Sequence, residues 1–145
     1  MCRFVAYIGQ PLLAEKVLVK PVNSLINQSF HAQETSMPVN GDGFGLGWYR
    51  KDIRREPGRY VSIQPAWNDQ NLIYAASMLK SSCFLAHVRH ATEGLVSTEN
   101  CHPFHFDEYL MMQNGGIAEF GKIKRSVSRL MDDEAYDWVK GQTDT

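Results

Sequence analysis

The 145-residue sequence has no apolar run long enough to cross a bilayer, and its N-terminus lacks the basic-then-apolar pattern of a secretory leader. It has no internal repeats, no low-complexity tract and no Pro/Gly/Ser-rich linker, so it reads as about one domain. Charge of one sign is also missing: 15 Lys and Arg against 16 Asp and Glu leave a net charge of -1. That balance gives no electrostatic footprint for nucleic acid or an anionic membrane, and neither is expected as a partner. The basic clusters Arg54-Arg55 and Lys122–Arg125 are interrupted by apolar residues or flanked by acids, as solvated faces are. Cysteine is scarce and odd in number: Cys2, Cys83 and Cys101 lie far apart, which does not resemble a disulfide framework and suits a reducing compartment, so a cytoplasmic location is expected.

Nucleotide signatures are absent too, since neither G-x-G-x-x-G nor G-x-x-x-x-G-K-[ST] occurs. The histidines at 87, 90, 102 and 105, with Cys101, invite a zinc reading, but on a strand His87 and His90 fall on opposite faces and the paired ligand spacing is missing. No metal and no cofactor is expected.

What is present alternates. CRFVAYIG is apolar on both alternations and predicts a strand buried on both faces. Pro11 can open a short helix through Leu18, and an irregular polar stretch runs from Asn23 to Asn40. Asp52–Arg59 reads as a charged turn and Tyr60–Ile63 as a return strand. Asp69 can cap a helix carrying Leu72, Ala75, Ala76 and Leu79 at helical spacing and ending near Ser81. CFLAHVRH is a strand with Cys83, Leu85, His87 and Arg89 on one face. Tyr109–Gln113 is a further strand, followed by short helices around Ser126–Leu130 and Asp133–Lys140. The mixture predicts an α+β layered domain, with sheets packed together and helices outside.

The stretch NGDGFGLGWY, residues 40–49, puts glycine at every second position from Gly41 to Gly47. Asp42, Phe44, Leu46 and Trp48 would take one face of a strand, and the other would be bare. Glycine weakens a strand, so the run requires something that approaches the backbone closely.

Cys2 carries the first chemical signal. Removal of Met1 would leave its thiol beside a free α-amine, whose reference pKa of about 7.7–8.0 lets it serve as base for its own residue's nucleophile. Alone the signal is weak, because a second-position cysteine is usually just a small buried hydrophobe. Arg89 ends an apolar strand, where its planar fork requires a carboxylate from the protein or from a ligand. Asn114-Gly115 can aim a side-chain amide and a backbone N–H at one point, as an oxyanion hole does, and is also an ordinary hairpin signal.

In this order, MCRFVAYIG, NGDGFGLGWY, AHVRHATEG, NCHPF, QNGGI and GQTDT resemble the class II glutamine amidotransferase domain, an N-terminal-nucleophile hydrolase. The likeness is nearest to small stand-alone members, including the fungal type that helps degrade glutathione. The resemblance implies Cys2 as nucleophile, its freed amine as base, Asn114 and Gly115 as oxyanion hole, Arg89 on the substrate's α-carboxylate and Asp144 on its α-ammonium. It implies a four-layer αββα sandwich of two antiparallel sheets, with residues 1–145 forming the N-terminal part of a longer domain that is incomplete at its C-terminal end. It also implies that the N-terminal strand bearing Cys2 packs against the bare glycine face. Hydrolysis of a γ-glutamyl amide, in glutamine or a γ-glutamyl peptide such as glutathione, is the implied activity. The alternative is a non-catalytic or partner-dependent domain that binds a γ-glutamyl compound or another subunit. A small γ-glutamyl substrate and a peptidase-like partner subunit are the implied partners. One departure is Gln113, where the family usually has histidine: glutamine hydrogen-bonds but cannot become a cation.

Overall fold

The computed structural model describes residues 2–31, 39–91 and 94–145. Thus Met1, the centre of the polar stretch before Val39, and the Thr92-Glu93 step of AHVRHATEG lie outside the described residues. Two antiparallel sheets and several helices form an α+β fold. The larger sheet holds β1 (Arg3–Leu13), β2 (Phe44–Trp48), β3 (Gly58–Ser62) and β4 (Lys80–Val88) in the order β1-β4-β2-β3. Three helices, α1 (Glu15–Leu18), α2 (Leu25–Phe30) and α3 (Gln70–Met78), lie along one of its faces. The smaller sheet is the hairpin of β5 (Phe104–Phe106) and β6 (Tyr109–Met111), and α4 (Phe120–Ser128) and α5 (Asp133–Trp138) follow it.

Register decides which face each residue takes, because residues directly opposite in an antiparallel pair share a face. Val5, Ala86 and Leu46 stand in one row, and Phe4, His87 and Gly45 in the next. The first set, with Phe44, Phe84 and Val88, packs beneath Leu18, Leu25, Ile26, Leu72 and Ala76 to make the hydrophobic core. Each fully buried Leu or Phe there contributes about 1.5–3 kcal/mol. The Asp69 cap expected for α3 is present, its carboxylate accepting from the Leu72 amide at 2.8 Å. Within the stretch expected to be irregular, α2 forms because Ser24 caps it, accepting from the Asn27 amide at 3.2 Å, while Leu25 and Ile26 reach the core.

The second set meets the hairpin. A Cβ on Gly45 would sit on the carbonyl oxygen of His102, and one on Gly47 would lie 2.8 Å from the Pro103 ring and 2.7 Å from the Leu110 side chain. A neighbouring backbone does fill the bare face, but it is the His102-Pro103 segment. The N-terminal strand does not, because β4 separates β1 from β2. Glycine 41 and glycine 43 precede the strand, which starts at Phe44, and Gly43 has φ +111°, a conformation that other residues rarely adopt. Two side chains clamp the hairpin layer from the sheet. Arg59 donates to the Pro103 carbonyl at 2.6 Å and the Cys101 carbonyl at 2.8 Å, and the Leu110 amide donates to the Tyr49 hydroxyl at 3.0 Å.

The β1 strand departs from expectation. It forms the sheet edge, and Phe4 and Ile8 are exposed, Ile8 at 86%, because the two-stranded hairpin does not extend over it. It also runs to Leu13, so the helix expected from Pro11 is confined to α1. Helices α4 and α5 bury no residue, and α5 touches the hairpin through an edge-on contact of Phe106 with Trp138.

Candidate active site

Cys2 immediately precedes β1, and the pairing of Arg3 with Val88 brings it beside the end of β4. Its Sγ accepts from the His90 amide at 3.2 Å, and its S–H is directed to the His90 carbonyl at 3.4 Å. The sulfur is therefore bracketed by one residue's main chain. That main chain is itself fixed by the glycine-rich segment. The Arg89 amide donates to Gly43 O at 2.8 Å, the Asp42 amide to Arg89 O at 3.2 Å, and the Ala91 amide to Asp42 Oδ2 at 2.8 Å. Asp42 also lies 3.8 Å from the His90 ring. Sequence reasoning placed Asp42 on a strand face and missed this role, although a charged residue inside NGDG was a signal.

Arg89 is 5% exposed and donates from Nη1 to the Leu95 carbonyl at 3.1 Å. The same carbonyl accepts from Asn100 Nδ2 at 2.9 Å. With Cys2, Asn100, His102 and Asp144, Arg89 lines a cavity of about 110 Å³. Asn114 donates from Nδ2 to the Cys2 carbonyl at 2.9 Å, and Gly115 and Gly116 border the cavity. The hairpin reading of Asn114-Gly115 does not hold: β6 ends at Met111, and the next element is α4. Asp144 is held in place, accepting from the Ile117 amide, and two residues earlier the Gln142 amide donates to Asn100 Oδ1 at 2.8 Å. The five residues singled out from the sequence, Cys2, Arg89, Asn114, Gly115 and Asp144, are thus brought together.

Beside them stand two histidines that the zinc reading had considered. His87 and His102 meet edge to face with ring centroids 4.5 Å apart, and Phe104 packs on His102 at 4.6 Å. Burial pushes His87 down to about 3 and His102 down to about 4, so both are neutral at physiological pH. Among the described residues no group of three His, Cys, Asp or Glu side chains could hold a metal ion. The buried Cys101 directs its thiol at the Ser97 carbonyl, and burial pushes its pKa up, away from the reactive thiolate.

A wider groove of about 1080 Å³ lies along the same face of the sheet, lined by Ile8, Tyr49, Lys80, Cys83 and Tyr109. The Ile8–Cys83 pair is six residues along β1 from Cys2, about 20 Å at the rise of an extended strand. Its wall also carries Arg50, Asp52 and Glu108, but Arg50 is paired with Asp52 at 2.6 Å and Glu108 with Arg55.

Residues 12–145 match the family model described as class II glutamine amidotransferases. The chain is 41% identical over 152 residues to a Saccharomyces cerevisiae protein named "Probable glutamine amidotransferase DUG3", covering 100% of this chain and 43% of that protein. It is 32% identical over 117 residues to the γ-glutamyl-hercynylcysteine sulfoxide hydrolase of Mycolicibacterium smegmatis, covering 79% of this chain and 51% of that one. The solved structure of a glutamine aminotransferase class-II domain protein from Silicibacter pomeroyi superposes with a TM-score of 0.67 at 29% identity, over 97% of this chain and 49% of that one. The chain spans about half the length of the relatives it matches.

Proposed function

The chain belongs to the class II glutamine amidotransferases, and from that premise we propose that it hydrolyses a γ-glutamyl amide with Cys2 as the nucleophile. The observation that supports this reading best is the bracketing of the Cys2 sulfur by His90 on the rim of a cavity that also holds Arg89, Asp144 and the Asn114 turn. A γ-glutamyl group carries a carboxylate and an ammonium on one carbon and the scissile carbonyl three bonds away. It therefore requires a cation, an anion and an acylation site in one small space. Arg89 takes the carboxylate. Asp144 keeps acceptor capacity for the ammonium, because a carboxylate offers about four lone-pair sites and the Ile117 amide uses one.

Once Met1 is removed, the Cys2 amine accepts the thiol proton. The thiolate forms a C–S bond to the γ-carbonyl carbon, and the electron pair of the C=O moves to oxygen. The Asn114 amide has two hydrogens; one is given to Cys2 O, and the other, with the Gly115 N–H, faces the oxyanion. Collapse breaks the C–N bond as the amine's proton passes to the departing nitrogen. Water then attacks the thioester through a second oxyanion, releasing glutamate and the free thiol. Glutamine and a γ-glutamyl peptide present the same head group, so the cavity accepts either. The relatives' names fit this, one referring to glutamine and the other to γ-glutamyl-hercynylcysteine sulfoxide.

The test is turnover of glutamine and of glutathione by full chain whose loss of Met1 is verified by intact mass. Release of glutamate from either, abolished by Cys2→Ala, supports the proposal. A processed chain that binds these compounds without turnover would instead be the non-catalytic, binding form of the fold.

A further inference from the structure

Neither His87 nor His102 has a part in the chemistry above, yet both line the same cavity as Cys2. His102 is fixed from three sides. Its carbonyl lies against the bare Cα of Gly45, its ring meets the edge of His87 from β4, and Phe104 of β5 packs on it. From that position its Nδ1 accepts from the Gln113 amide at 3.5 Å. Gln113 is covalently joined to Asn114, whose side-chain amide reaches the Cys2 carbonyl at 2.9 Å.

We infer that His102 is a positioning residue: as a neutral imidazole braced by Gly45, His87 and Phe104, it accepts the Gln113 amide and so sets the Asn114 donor against Cys2. The inference rests on the proposed activity only for its kinetic consequence. It also gives the glycine face a use beyond packing, since a side chain at Gly45 would displace the residue that sets the donor.

The acceptor role fixes the tautomer. With Nδ1 accepting, the ring proton sits on Nε2. Protonation would turn Nδ1 into a donor and oppose it to the Gln113 N–H. The groups facing the ring from the surrounding elements are His87 and Arg89 on the β4 side, Arg59 on β3 and Asp144 on the terminal segment. Two of these are fixed cations that disfavour a charged imidazole, and Asp144 favours it.

Two variants in the full chain test this. His102→Phe keeps the aromatic contacts and deletes the acceptor, while His102→Asn restores a carbonyl acceptor near the Nδ1 position. On γ-glutamyl-p-nitroanilide, His102→Phe is expected to lower kcat by about ten- to a hundredfold with KM nearly unchanged, as a misplaced oxyanion donor does, and His102→Asn to recover most of it. Nitrogen NMR of the wild type is expected to show an unprotonated Nδ1 on His102 at pH 7, and His102→Phe to shift the Gln113 and Asn114 amide signals. A folded His102→Phe with wild-type kcat, or a wild-type His102 protonated on Nδ1, overturns the inference. If the wild type turns over no γ-glutamyl compound, the proposed activity falls, and the NMR result alone then decides the positioning role.

Discussion

The side-chain amide of Asn114 and the main-chain carbonyl of Cys2 are joined by a hydrogen bond of 2.9 Å across 112 residues of sequence. This bond ties the turn after β6 to the main chain of the residue proposed as nucleophile. Asn114→Asp is close in shape but replaces two N–H donors with an acceptor facing another acceptor. We expect kcat to fall by about 10²–10³, the cost of losing one oxyanion donor, with a much smaller change in KM. Steady-state kinetics on glutamine checks it, and an equal fall in binding and turnover would argue that Asn114 acts only through structure.

Gly45→Ala separates the fold's requirement for a bare strand from any chemistry. The added methyl would meet the His102 carbonyl and the Val61 side chain at once. Backbone cannot rotate away as a flexible side chain can, so the hairpin must lift from the sheet. Overpacking of this kind costs about 1–3 kcal/mol. Urea unfolding of both proteins should show the lower midpoint at an unchanged slope, since the surface exposed on unfolding is nearly the same.

The sequence carried the local patterns well and the layer contacts poorly. The alternation of Cys83, Leu85 and His87 along β4, continued by Arg89 just past its end, was readable because one face is core and period two is strict. The Asp69 cap was readable because capping is decided within four residues. The occupant of the bare glycine face was not, because His102 lies more than fifty residues from Gly45 and only the tertiary fold brings them together. The exposure of Phe4 and Ile8 was hidden for the same reason: an apolar run looks alike in a central strand and at an edge. At the site, residue types suggested Cys2, Arg89 and Asn114-Gly115, and the family resemblance supplied Asp144; the roles of Asp42 and His102 depend on main-chain partners, of which the charge inside NGDG was a trace and His102 left none.

Stability should depend on pH through the two buried imidazoles. Their folded pKa values, about 3 for His87 and about 4 for His102, lie below the unfolded value near 6.5. Between those limits the unfolded chain binds more protons than the folded one, so unfolding is favoured as pH falls. Stability is therefore full above about pH 6.5 and declines on acidification toward pH 4, by an amount on the order of a few kcal/mol. Urea midpoints at pH 7.5, 6.0 and 5.0 measure the slope. His87→Phe, which keeps a buried ring without a titrating group, should flatten it.

Asp42 offers the clearest separation of positioning from chemistry. Its carboxylate accepts the Ala91 amide at 2.8 Å, and its own amide donates to Arg89 O at 3.2 Å, so it holds both ends of the peptide run that brackets the Cys2 sulfur. The carboxylate is not part of the cavity wall around Cys2. Asp42→Asn retains a carbonyl acceptor for Ala91 and should keep kcat within about threefold, since a neutral acceptor replaces a charged one with modest loss. Asp42→Ala leaves the Ala91 amide without that acceptor and lets His90 shift against the sulfur, for which a displacement near 1 Å can cost about a hundredfold. The loss should fall on kcat, while the contacts proposed for Arg89 and Asp144 keep KM close to its starting value. Iodoacetamide labelling of Cys2 gives a second readout, expected to change with Asp42→Ala and to stay near the wild-type rate with Asp42→Asn. Equal kinetics in both variants would mean that the peptide at His90 is held by the β4 pairing alone.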